Sequence, residues 1–123
     1  MTEPPKLKLA RDQLARIQVA AYDPVDWSDL AMYSFYALEN AVVAAADHFG
    51  VPWKPNHPSK VEAARFLANQ HGLPEIADLL IELNTLRKSE AYGEISPSRT
   101  GSAEDIAIEV EQYVEAVAAL LGA

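Results

Sequence analysis

The sequence predicts an all-α fold, an up-and-down helical bundle of about five helices in a single domain spanning residues 1–123. Three observations predict it. Apolar residues recur at three- and four-residue spacing through five segments, and no segment alternates as a strand does. Proline, glycine and capping residues mark the breaks between segments. Half of the 123 residues are apolar, enough for one core and too few for two.

The first segment covers residues 5–22. Pro5 suits a first helical position, and Leu7, Ala10, Leu14, Ile17 and Ala21 form one stripe. Asp23-Pro24 stops it, because the residue before proline avoids the helical region. The second runs from Trp27 to Phe49, with Asp26 or Ser28 as its cap and Gly50 in the left-handed position beyond its end. Residues 51–58, VPWKPNHP, read as a loop with three prolines. A third helix is expected from Ser59, with Ser59 and Glu62 at capping-box spacing and Gly72 at its end. The fourth begins at Pro74 and runs to Ala91 on a stripe of Ile76, Leu79, Leu80, Leu83 and Leu86, with Gly93 as terminator. After the loop 94–101, Ser102 caps a fifth helix that Gly122 closes, with Ile106, Val110, Tyr113, Val114, Val117 and Leu121 facing inward.

Composition narrows the function classes. The net charge is -8, from 18 acidic and 10 basic residues, which disfavours binding to DNA or RNA. Four bases, Lys6, Lys8, Arg11 and Arg16, cluster in the first segment, where a solvated helix face is preferred to a phosphate contact. No cysteine is present, which excludes disulfides, thiolate zinc sites and cysteine nucleophiles. The longest uncharged run, Leu30 to Leu38, is far short of the roughly 20 residues of a membrane span. The N-terminus lacks an apolar signal region. A cytoplasmic protein with no membrane contact is expected. His48, His57 and His71 show no metal-ligand spacing, and adjacent Asp47 and His48 point about 100° apart on a helix. No metal and no cofactor are expected.

The second helix is apolar nearly all round. Such a helix is central in its bundle or covered by a second subunit. A homodimer is expected, with Tyr33, Tyr36, Ala41, Ala44 and Ala45 in its interface.

The Tyr- and Ala-rich stretch YSFYALENAVVAAADHFGV, His57 ahead of the third helix, and Arg87 and Tyr92 at the end of the fourth together resemble the HEPN superfamily. The resemblance covers about residues 27–121, a four-helix core preceded by the 5–22 helix. It implies a small helical, usually dimeric domain of bacterial toxin–antitoxin, defence or RNA-processing systems. Ribonuclease members carry Arg, four to six residues, then His. Here Tyr92, Gly93 and Glu94 occupy the positions where that histidine would fall. A tyrosine with its ordinary pKa near 10 is a poor base at neutral pH. Arg65 and His71 also satisfy the spacing, but on the third helix, with side chains about 120° apart.

The reading is a non-catalytic HEPN-like protein that binds a partner protein or a small ligand. The partner could be a nucleotidyltransferase in a toxin–antitoxin pair. Arg87, Tyr92 and His57 are the candidate ligand-binding residues. A structural role for Arg87, paired with Glu90 or Glu39, is preferred to a phosphate- or nucleotide-binding one. The alternatives are a metal-independent ribonuclease using a displaced histidine, His71 or His57, and a regulatory nucleic-acid-binding module on the first helix.

Overall fold

The computed structural model describes residues 3–22, 24–91 and 102–122. It is all-helical, with five helices and no strand among the described residues: α1 (Pro5–Ala21), α2 (Trp27–Phe49), α3 (His57–His71), α4 (Ala77–Ala91) and α5 (Ala103–Leu121).

Local signals place most of the boundaries. Pro4 precedes α1, and Asp26 closes the α1–α2 turn by donating its N–H to the Ala20 carbonyl at 2.8 Å. The same Asp26 caps α2, its Oδ1 accepting from Asp29 N–H at 3.0 Å. Gly50 ends α2 at φ +69°, and Val51 N–H reaches back to the Ala46 carbonyl at 2.8 Å, a Schellman closure that needs the left-handed residue. Ser102 Oγ accepts from Asp105 N–H at 3.0 Å and starts α5.

Two starts differ from expectation. α3 begins at His57, because Asn56 and not Ser59 is its cap: Asn56 Oδ1 accepts from Ser59 N–H at 2.8 Å. Pro58 fits inside the first turn, where its missing N–H has no helical partner to lose. Ser59 Oγ accepts from Lys54 N–H at 2.7 Å instead of capping, so the Ser59–Glu62 box does not form. α4 begins at Ala77 rather than Pro74; Glu75 Oε1 takes the Ala77 N–H at 2.6 Å, and the Ile76 carbonyl accepts from Leu80 N–H at 2.8 Å.

α2 is the central helix. It packs most extensively on α1 and also touches α5, α4 and α3. This is why it is apolar round most of its circumference: Leu30, Ala31, Phe35, Ala37, Leu38 and residues 41–46 are all buried within the chain itself. Ala41, Ala44 and Ala45, expected in a dimer interface, belong to that internal core. Asn40 Nδ2 donates to Gln13 of α1 at 3.3 Å, one turn from Ala44, so close approach of α1 uses the small residues. Tyr36 remains exposed and Tyr33 half-buried, and these two are the expected interface residues a partner can reach. Among the described residues no helix is long and apolar enough to cross a membrane.

Tyr113 on α5 is fully buried, and its hydroxyl has no hydrogen-bond partner among the described residues. Burial, and secondarily the negative charge of Glu75, raise its pKa above the ordinary 10.0. The unfolded chain therefore loses this proton first. The associated stability is complete below about pH 10 and falls as the pH rises past that value. Tyr113→Phe keeps the ring and removes the orphaned hydroxyl. It is expected to leave stability at pH 7 unchanged or raised by about 1 kcal/mol, and to flatten the alkaline decline. Urea melts at pH 7 and pH 10.5 measure both; a clear loss at pH 7 would show that the hydroxyl has a partner.

Candidate functional site

α2 presents Phe35, Tyr36 and Glu39 toward the start of α3 and the second half of α4. Phe35 and Glu39 are four residues apart and so share a face. Glu39 is one of two buried polar or charged residues among those described, the other being Ser34. Its carboxylate is held at both oxygens. Lys60 Nζ donates to Oε1 at 3.2 Å, and His57 Nδ1 lies 3.4 Å from Oε2. A buried carboxylate left without such partners would cost several kcal/mol, so this arrangement ties α3 to α2.

Phe35 is the hub of the cluster. The His57 ring lies 5.5 Å from the Phe35 ring, tilted by 40°. The guanidinium carbon of Arg87 lies 4.6 Å from the same ring and 5.9 Å from that of Tyr36. Arg87 Nη2 donates to Asn84 Oδ1 at 2.8 Å, one turn earlier on α4. Its Nε is buried with no partner among the described residues. The expected pairing of Arg87 with Glu39 does not occur, because Lys60 and His57 already occupy that carboxylate. The side chain of Glu90 and the whole of Tyr92 lie outside the described residues.

Arg87 and His57 thus meet around one ring but open in different directions. Arg87 lines a cavity of about 190 Å³ with Ser28, Met32 and Tyr36. His57 lines a groove of about 380 Å³ between α3 and α4, with Arg65, Asn84 and Thr85. The two side chains do not converge on one shared space, as a phosphate clamp and its proton acceptor would.

The second Arg–His pair, Arg65 and His71, also faces two different spaces. Arg65 faces the same α3–α4 groove and lies 3.8 Å from exposed Asp78. His71 stacks on Phe49, with ring centroids 3.9 Å apart, on another side of α3. Of the four basic residues of α1, Arg11 and Arg16 have partners among the described residues. Arg11 contacts Glu3 and Glu115, and the Arg16 guanidinium lies 5.4 Å from the Tyr33 ring. No group of three or more His, Asp or Glu side chains placed to hold a metal ion occurs among the described residues.

Arg87 and His57 are sequence candidates that the fold brings to one ring; Phe35, Lys60 and Asn84 stand beside them and were not singled out by sequence. The i,i+3 spacing of Asn84 and Arg87 was a usable signal. The shared ring was not, because it depends on how three helices cross. Compared with known proteins, the chain matches no family model, no curated protein and no solved structure.

Proposed function

We propose that the chain is a non-catalytic, HEPN-like helical protein that binds a partner protein or a small ligand through an anionic group at Arg87. One observation carries this reading. The guanidinium is stacked on Phe35 and Tyr36 and steered by Asn84, and among the described residues no carboxylate lies within 4.0 Å of it. Aromatic faces hold an arginine in place without neutralising its charge, so these ring contacts leave it able to meet a carboxylate or phosphate. The exposed hydroxyl-bearing Ser28 and Tyr36 beside it can add hydrogen bonds. A nucleotidyltransferase partner in a toxin–antitoxin pair and a homodimer reached through Tyr33 and Tyr36 belong to the same reading.

Arg87→Ala removes one hydrogen bond and the ring contacts, so its intrinsic cost is expected to be about 1 kcal/mol. Thermal melts with inorganic phosphate, a nucleoside monophosphate and acetate test the proposal. At least one of these anions should raise the wild-type melting temperature, and the variant should lose that shift. An anion shift that persists in Arg87→Ala, or none with any of the three, defeats it.

A second reading has one observation in its favour. Glu39 orients His57 beside the ring that carries Arg87, so of the two displaced-histidine candidates for a ribonuclease His57 is the better placed. Single-stranded RNA incubated with the protein in EDTA is expected to stay intact. Cleavage that His57→Ala abolishes would establish this second reading instead.

A further inference from the structure

Between α3 and the α2–α3 connection lies a cavity of about 410 Å³ that the reading above leaves unused. Its walls are aromatic and aliphatic: Phe49, Phe66 and His71, with Val51 and Pro52 from the α2–α3 connection. His71 is stacked on Phe49 with an interplanar angle of 16°, and Phe66 stands 6.4 Å from His71 at 50°. Phe49 and His71 cover one face of each other, and Phe66 stands apart from that stack as the exposed ring of the lining. Phe66 is 48% exposed, an apolar side chain that the fold itself does not cover. Glu62 is the carboxylate on the cavity wall, on the ridge that this cavity shares with the α3–α4 groove. Its capping-box partner is engaged with Lys54, and no basic side chain lies within 4.0 Å of it among the described residues.

We propose that this cavity binds a small organic ammonium ion with an apolar body. The volume lies within the range of small-molecule pockets, toward its lower end, and suits a single-ring ligand. Aromatic faces carry negative quadrupole charge that attracts a cation at close range, and the Glu62 carboxylate adds a full opposite charge at the rim. The apolar body covers Phe66 and gains the usual burial free energy. The net charge of -8 also favours cations over anions across the surface as a whole. An anionic ligand meets Glu62 directly and is excluded on the same grounds.

Phenyltrimethylammonium, with tert-butylbenzene as its neutral counterpart and benzoate as its anionic one, provides the test by titration calorimetry and amide chemical-shift mapping. The cation should bind with shifts centred on residues 49–52, 62–66 and 71, at least threefold more tightly than the neutral compound, with no binding of benzoate there. Glu62→Gln should weaken the cation about three- to tenfold, and Phe66→Leu, which keeps the apolar bulk, should weaken it further than it weakens the neutral compound. Both positions are exposed, so both variants should fold as wild type does. Arg87→Ala should leave this binding untouched, which separates it from the anion site. Equal affinity for all three compounds, shifts elsewhere, or indifference to both variants would overturn the proposal.

Discussion

Leu38→Ala is expected to lower the unfolding free energy by about 2–5 kcal/mol, a large part of what a domain of this size possesses. Leu38 is fully buried at the middle of α2, the helix on which the other four pack. Truncation removes the transfer free energy of three carbons and leaves a hole that surrounding helices can only partly close. Leu120→Ala supplies the control. That residue is 44% exposed near the end of α5, so the same change should cost well under half as much. Denaturant melts of both variants decide the matter, and equal losses would mean that α2 is not central.

Ala45→Leu is the second large effect, and it acts by adding atoms. Ala45 is fully buried in the chain's own core, where a leucine must displace neighbouring side chains or push a helix outward. Overpacking of this kind costs about 1–3 kcal/mol and occasionally more. The loss is expected to be the same at low and high micromolar protein, because the strain is inside one chain. A residue in a twofold interface behaves otherwise: its substitution changes the oligomer's dissociation and leaves the monomer's melt alone. An unchanged melting midpoint for Ala45→Leu, with altered sedimentation, would return Ala45 to a subunit interface.

The dimer expectation came from counting apolar residues on a single helix. Eleven of the thirteen buried positions on α2 are apolar, and they account for that excess. A helix with four helical neighbours has little solvent-facing surface left, and a one-dimensional pattern does not say whether its cover comes from the same chain. Tyr36 is the informative exception. It is an aromatic on this helix that stays exposed, and it stands beside Arg87.

The histidines show the same division. His57 read as a loop residue because three prolines surround it, yet it occupies the first position of α3. Either Asn56 or Ser59 could cap the helix chemically. The competition was settled by Lys54, whose N–H takes the serine hydroxyl. Moving the start by two residues swings His57 onto the helix and toward Glu39.

What the sequence determined by itself was the helical class, the five elements, and the caps at Gly50, Ser102 and Gly122, with Asp26 one of two candidates for the start of α2. These depend on spacing along the chain and on hydrogen bonds that close within a few residues, so local chemistry suffices. Glu39 and Arg87 also stood out as charges at informative places. Only the tertiary structure decided their partners. Glu39 took Lys60 and His57, and Arg87 took two aromatic rings and Asn84. Those choices follow from which helix faces meet and at what angle. Burial of the whole core sets that geometry, and packing energy summed over five helices is not written in any one of them.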